Sequence, residues 1–155
     1  MISVAFGLIG AVLIIAGFVM TAQGWAGRRD VGRELAQQHI RFPAGEKLPA
    51  ALTRYAGVQV QNGVQARAYS ELIAVHVVKA TGGRTYSQIA DECMAGGRDD
   101  ERLARLRETA FMGQSLRGAL LGAYQAWQVT LLVMGLGALF AAAGAAFVLL
   151  ALQGS

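Results

Sequence analysis

The side chains that could bind a metal or act as nucleophiles are few, and they are not arranged as a site. His39 and His76 are the only histidines, and Cys93 is the only cysteine. Helix-borne metal ligands lie three or four residues apart, and neither histidine has such a partner. Asp91 and Glu92 directly precede Cys93, and adjacent residues of a helix point in different directions. We therefore expect no metal site and no catalytic residue, and an enzyme built on Cys93 or His76 is the weakest functional hypothesis.

Two pairs of glycines, Gly82-Gly83 and Gly96-Gly97, raise the question of a phosphate-binding loop. Such a loop needs a following Lys-Ser or Lys-Thr, or a G-x-G-x-x-G spacing that opens a helix, and neither pair has one. Glycine is also the residue that most often ends a helix. We therefore predict that both pairs terminate helices and that the chain binds no cofactor.

The charged residues are confined to the middle of the chain. The 14 basic and 10 acidic residues all lie between Arg28 and Arg117. The net charge is only +4, and the basic residues are interspersed with carboxylates, which does not favour binding of nucleic acid. With 54% hydrophobic and 15% charged residues, the composition is typical of a membrane protein with a polar central segment.

Two apolar runs are long enough to cross a bilayer. The first covers residues 2–24 and the second covers residues 127–152, and about 20 apolar residues in a helix span the hydrocarbon core. We predict two transmembrane helices of the cell membrane, with both termini on the same side. Neither run contains an ionisable side chain, so an intramembrane proton relay or ion pathway is not expected.

Small residues in and beside the apolar runs are spaced for close helix packing, which requires that backbones approach each other in lipid. The pairs are Gly7 with Ala11, Gly10 with Gly17, Gly118 with Gly122, and Gly137 with Ala141. We expect one of them to form the contact between the two apolar helices.

Aromatic and basic residues mark both ends of the polar segment. Trp25 follows the first apolar run, and Tyr124 and Trp127 stand at the start of the second, where amphipathic rings settle at the level of the lipid headgroups. The neighbouring arginines are suited to anionic lipid, and they are Arg28, Arg29, Arg33 and Arg117. Positive-inside counting places the middle in the cytoplasm, but that rule weakens for loops longer than about 60 residues.

The polar middle, residues 28–117, is predicted to be a small helical domain, and residues 118–126 a helical approach to the membrane. Asn62 is the expected N-cap of its main helix, and Thr85 with Gln88 has the pattern of a capping box. No run indicates a strand. The fold class is therefore an all-α membrane protein, in which two transmembrane helices flank three or four short helices. Beyond a juxtamembrane helical extension at residues 28–39, short helices are expected at residues 49–55, 64–80 and 85–94, and a last one starts near residue 100 and continues into the second apolar run.

Several short motifs follow one another along the chain. They are Tyr55-Ala56-Gly57, Ala66-x-Ala68-x-x-Glu71-x-Ile73-x-x-His76, Gly82-Gly83-Arg84-Thr85-Tyr86 and Ser115-Leu116-Arg117. In this order the chain resembles a group of small uncharacterised two-span membrane proteins of actinobacteria. The resemblance implies an architecture and no activity. The termini of that group are usually basic, which implies an extracytoplasmic middle domain, whereas neither terminus of this chain is basic. Charge counting and resemblance thus favour opposite sides for residues 28–117.

These features favour a non-catalytic accessory subunit or assembly protein of a larger membrane complex, whose partners are integral membrane subunits. Respiratory assemblies contain many small subunits, and this analogy makes a respiratory complex one candidate. Aromatic and arginine side chains dominate the energetics of interfaces, and the residues expected to face a partner are Phe42, Arg84, Thr85 and Tyr86. The alternative is a stand-alone membrane sensor whose middle domain binds a small ligand.

Overall fold

The computed structural model describes residues 2–44, 48–96 and 100–153, and in these ranges the regular elements are all helical. The described ranges contain α1 (Ile2–Gln37), α2 (Gly63–Thr81), α3 (Tyr86–Ala95) and α4 (Glu101–Gln153), and a 3₁₀ helix covers Ala50–Tyr55. Extended pairing in the described ranges is limited to one antiparallel bridge between Arg41 and Gln59. The all-helical fold class is therefore confirmed.

The chain divides into two compact units. The apolar unit consists of Met1–Arg33 and Ala126–Ser155, and the polar unit consists of Glu34–Gln125. Helices α1 and α4 each contribute to both units because they continue beyond their apolar segments. The predicted continuation of the last helix into the second apolar run is confirmed, since α4 is one helix of 53 residues.

The two helices of the apolar unit pack through a row of glycines that we call the glycine seam: Gly10, Gly17 and Gly24 of α1 and Gly137 and Gly144 of α4. A Cβ atom built on Gly17 would lie 2.5 Å from the carbonyl oxygen of Gly137, and one on Gly144 would lie 2.6 Å from that of Gly10. Only glycine allows two backbones to come this close. The spacing of seven residues within each helix keeps the seam on one face, as in a left-handed helix pair.

Two of the four predicted small-residue pairs, Gly10 with Gly17 and Gly137 with Ala141, lie in this contact. Of the pair Gly7 with Ala11, only Gly7 takes part, since a Cβ atom on it would lie 3.8 Å from that of Ala151, whereas Ala11 is exposed. The fourth pair, Gly118 with Gly122, was expected to be equally suitable, but a Cβ atom on either residue would meet no atom within 4 Å. Spacing alone therefore does not identify the contact.

Large apolar side chains cover the outer faces of the apolar unit. In the most apolar window of each helix, only 11% of the residues are buried. A helix in the core of a soluble domain would bury such residues. Among the residues that the structure describes, two helices are thus long and apolar enough to cross a membrane, and their apolar faces remain uncovered.

The core of the polar unit forms around Phe42, which is 2% exposed. Its ring stacks on Tyr55 at 5.1 Å between centroids and meets the edge of Tyr69 at 5.0 Å. The short antiparallel pairing holds the backbone beside it, since the Phe42 N–H donates to Val58 and the Val60 N–H donates to Ile40. The other buried apolar residues of this unit are Leu35, Leu48, Leu52, Val60, Ala66, Ala68, Leu72, Ile73, Ile89, Ala110 and Leu120.

Helix α2 has the predicted ends. The Asn62 side chain accepts a hydrogen bond from the Gln65 N–H at 2.9 Å. At the other end, Gly82 and Gly83 have φ angles of 64° and 83°, the left-handed region that favours glycine. Their N–H groups both donate to the Val78 carbonyl, which closes the helix.

Helix α3 begins with the predicted capping box. The Gln88 N–H donates to the Thr85 hydroxyl, and the Thr85 N–H donates back to the Gln88 side chain at 2.8 Å. Gly96 follows the helix as its C-cap, and its predicted partner Gly97 lies outside the described residues. Two of the N–H groups that a helix leaves unpaired at its start are thus satisfied.

We expect Thr85→Ala to weaken α3 by about 1 kcal/mol, because the Gln88 N–H loses its acceptor. Hydrogen exchange of the α3 amides in the full chain should accelerate by about fivefold, because a loss of about 1 kcal/mol raises the equilibrium constant for local opening of α3 by that factor. Ser87→Ala is the matched control, because Ser87 is exposed two residues further on. Equal exchange rates in the two variants would contradict a stabilising role of the box.

Helix α4 starts at a capping carboxylate. Asp100 accepts from the N–H groups of Arg102 and Leu103 at 2.9 and 3.2 Å. Gly113, which lies inside α4, is directly against the Val77 side chain of α2. Close packing of α4 on α2 therefore explains this glycine, and it does not interrupt the helix.

Candidate partner-binding surface

The side chains with metal-binding or nucleophilic chemistry lie apart from one another. His39 and His76 are exposed on different elements, and Cys93 is partly buried on α3. No group of three histidine, cysteine or acidic residues in the described ranges could hold a metal ion. His39 has a positive φ of 52°, where it ends the last turn of α1, and this position gives it a backbone role.

Phe42 requires a correction. It was expected on a surface that faces a partner, but the ring is 2% exposed and packs between Tyr55 and Tyr69. The segment directly before Pro43 gives no local indication of burial, because the contact is made with Tyr69 on α2, 27 residues further along the chain. Phe42 is therefore a core residue of the polar unit and is not available to a partner.

The other three predicted interface residues form the exposed turn between α2 and α3. Arg84, Thr85 and Tyr86 are all exposed. The Arg84 Nε donates to the Thr81 carbonyl at 3.0 Å, and its Nη1 donates to the Glu92 carboxylate at 2.6 Å. The arginine is thus held in place from two sides, and it costs less conformational entropy on binding than a free side chain would.

Tyr86 does not stand alone on this surface. Its ring lies 5.9 Å from that of Phe111 on α4, and the two side chains are 41% and 58% exposed. Phe111 was missed in the sequence, because nothing local indicates that a residue 25 positions away meets the start of α3. A phenylalanine among charged residues on the N-terminal part of a long helix is the one signal that could have drawn attention to it.

The two rings line an open groove of about 710 Å³, which we call the aromatic groove. Its remaining wall belongs to the N-terminal part of α4 and mixes both signs of charge; the residues are Glu101, Ala104, Arg105, Arg107 and Glu108. Arg105 forms an ion pair with Glu101 at 3.1 Å. Aromatic rings beside arginines, with mixed charges at the rim, are the composition of a protein interface.

The residues predicted to lie at the membrane boundary form cation–π contacts in the apolar unit. The Arg28 guanidinium lies 3.8 Å above the Trp127 ring, and that of Arg29 lies 4.6 Å from the Trp25 ring. Arg33 pairs with Asp30 on the same face of α1. The first contact joins α1 to α4, so it adds to the glycine seam in pairing the two helices.

Tyr124 and Arg117 belong to the polar unit. The Tyr124 hydroxyl accepts a hydrogen bond from Arg67 at 3.1 Å, and this bond raises the pKa of the Arg67 guanidinium, with a further contribution from Glu71. Arg117 is partly buried, and its Nε has no partner among the described residues. The structure therefore places these two residues on α4 within the helical unit, and their role at a lipid surface stays a prediction.

Comparison with protein-family models, curated proteins and solved structures gives no match to this chain. The geometry alone therefore defines the class: an all-helical protein with two helices of membrane-spanning length and a small helical unit. That unit carries an exposed groove lined by aromatic and arginine side chains.

Proposed function

We propose that the chain is a two-pass membrane protein whose helices α1 and α4 cross the bilayer. This is supported by the uncovered apolar faces, which include Phe18 at 68% and Leu139 at 61% exposure. Contiguous apolar surface of this extent is unusual on a soluble monomer. Two crossings put both termini on one side and the polar unit on the other.

We further propose that the polar unit docks on integral membrane subunits of a larger complex, which makes the protein a non-catalytic accessory or assembly subunit. The observation that carries this proposal is the pair of exposed rings, Tyr86 and Phe111, in a groove flanked by arginines. Such side chains are the usual anchors of interfaces. A respiratory complex is one such assembly, on the analogy already given.

The alternative is a sensor that binds a small molecule in the aromatic groove. A volume of about 710 Å³ lies within the range of ligand pockets, but such pockets bury most of the ligand surface. Every residue that lines this groove is itself exposed. The groove therefore suits a partner chain better than an enclosed ligand.

The test is affinity purification of the tagged chain from its native membrane in a mild detergent, followed by mass spectrometry. We expect integral membrane subunits to be retained in fixed stoichiometry. Replacement of both rings, Tyr86→Ala with Phe111→Ala, should reduce their retention at least about tenfold, because anchor residues each contribute about 2 kcal/mol or more. Val64→Ala is the control, since Val64 is 52% exposed outside the groove.

Two outcomes would contradict the proposal. A chain that elutes alone as a monodisperse species has no stable partner, and the sensor alternative would then be favoured. Equal retention of the partner subunits by the double variant and by the Val64 control would show that these subunits do not bind at the aromatic groove.

A further inference from the structure

A second groove of the polar unit, which we call the basic groove, carries an unusual concentration of positive charge. It has a volume of about 520 Å³, and four of its nine lining residues are cationic. None of the nine is acidic, and the set is Lys79, Ala80, Thr81, Gly82, Arg84, Arg102, Arg105, Leu106 and Thr109. The cations come from α2, from the turn after it and from α4, so the fold gathers them.

Carboxylates neutralise only part of this charge. Arg84 pairs with Glu92 at 2.6 Å and Arg105 pairs with Glu101 at 3.1 Å. In the described part of the chain, Lys79 and Arg102 have no acidic partner within 4 Å, and both are exposed. The groove therefore keeps a net positive charge.

Helix dipoles do not account for the whole cluster. Lys79 stands in the last turn of α2, where a cation is favourable, but Arg102 stands in the first turn of α4, where a cation is disfavoured. The Val78 and Thr81 carbonyls at the end of α2 already accept hydrogen bonds from the glycine turn and from Arg84. Arg102 thus departs from this local rule, and no acidic partner in the described residues offsets it, as is often seen for residues of a binding site.

One buried hydroxyl in the groove also lacks a hydrogen bond. Thr81 is 1% exposed, and its Oγ1 has no partner among the described residues. An unsatisfied buried hydroxyl costs about 1–3 kcal/mol, so rotation of the Thr81 side chain toward an acceptor in the groove would be favourable. Arg84 adds a guanidinium that is already oriented by Thr81 and Glu92.

We propose that the basic groove binds a phosphate group. Tetrahedral oxyanions suit this set, because arginine donors in a fork, a lysine point charge and a hydroxyl donor are the usual ligands of phosphate. The phosphate belongs either to a soluble phosphate or diphosphate compound or to a lipid headgroup.

The test uses the full chain in detergent micelles at about 150 mM chloride, where weak surface attraction is screened. The soluble source is probed by calorimetric titration with inorganic pyrophosphate. The lipid source is probed by native mass spectrometry, which compares retention of phosphatidic acid with retention of phosphatidylcholine. Binding in the first arm alone indicates a soluble ligand, retention of phosphatidic acid alone indicates a headgroup, and binding in both indicates a general phosphate site.

The decisive variant replaces the two unpaired cations, Lys79→Gln with Arg102→Gln. We expect the affinity to fall at least about tenfold, because two charge-assisted hydrogen bonds are lost. The control Arg41→Gln with Arg54→Gln removes the same charge from exposed positions outside the groove, and its affinity should change less than about twofold.

Three results would overturn the proposal. The first is absence of binding in both arms, and the second is an equal loss in the control, which would indicate general charge attraction. The third is unchanged affinity in Thr81→Val, since a site in which the buried hydroxyl plays no part is not the one described here.

Discussion

Gly17→Ile is expected to separate the two apolar helices. The substitution places a Cβ atom about 2.5 Å from the Gly137 carbonyl oxygen, well inside the ~3.5 Å at which such atoms attract each other. The remaining atoms of the isoleucine side chain would overlap the α4 backbone. A backbone, unlike a side chain, cannot relieve such an overlap by changing its rotamer. Inserting extra atoms into a packed interior costs about 1–3 kcal/mol, and we expect the upper end here because backbone faces backbone.

Helix separation can be measured by disulfide formation across the pair. Gly7 and Ala151 are suitable, because a Cβ atom on Gly7 would lie 3.8 Å from that of Ala151, which is the mean Cβ separation in disulfides. In the Gly7→Cys, Ala151→Cys variant that also carries Cys93→Ser, mild oxidation should close the bridge rapidly. Adding Gly17→Ile should slow closure at least about tenfold.

The matched control is Gly135→Ile. Gly135 lies two residues from Gly137 on the same helix, and a Cβ atom there would meet no atom within 4 Å. The chemical change and its effect on helix propensity are the same at both positions, so only the helix contact differs. Equal rates of bridge formation in the two variants would contradict the glycine seam.

The seam also shows what the sequence could reveal and what it could not. The seven-residue spacing of Gly10, Gly17 and Gly24 is visible in the sequence and matches that of Gly137 and Gly144. The four-residue spacing of Gly118 and Gly122 is also typical of packed helices, yet a Cβ atom on either residue would meet no atom within 4 Å. Periodicity within one helix indicates a packing face, but the partner of that face depends on the register between two distant segments.

In the polar unit, local sequence patterns were sufficient to predict both ends of α2 and the start of α3. The cap at Asn62, the box at Thr85 and the left-handed turn at Gly82 involve residues at most five positions apart. Their energetics are decided by the neighbouring backbone, which is why residue types alone predict them.

Contacts between distant elements could not be predicted in this way. Tyr86 was predicted as a surface residue, but its contact with Phe111 was not predicted, because Phe111 lies on another helix. Gly113 of α4 makes room for Val77 of α2, which no neighbouring residue of α4 indicates. The basic groove was also not foreseen, because Lys79 and Arg102 come together only when α2 and α4 pack. Each case depends on tertiary structure, and no short motif encodes it.

Phe42→Ala is expected to destabilise the polar unit by about 3–5 kcal/mol, the cost of removing a fully buried phenylalanine. The ring makes the stacked contact with Tyr55 and the edge contact with Tyr69, so the substitution leaves a cavity between two aromatic side chains. A domain of this size has a total stability of about 5–15 kcal/mol, and a large part of it would be lost.

The measurement is hydrogen exchange of the full chain in detergent micelles. The Val60 N–H is the natural reporter, because Val60 is 0% exposed and donates to Ile40 beside the ring. Its exchange should accelerate by at least about a hundredfold in Phe42→Ala. Phe111→Ala removes the same ring from a position that is 58% exposed, and there we expect a change of no more than about 0.5 kcal/mol.

This experiment also separates the two interpretations of Phe42. A residue that faced a partner would reduce retention of that partner when replaced and would leave exchange at Val60 unchanged. Replacing a core residue instead accelerates hydrogen exchange at Val60 in the isolated chain, with no partner present. Equal Val60 exchange in Phe42→Ala and Phe111→Ala would therefore restore the surface role that the sequence predicted and would contradict the aromatic core of the polar unit.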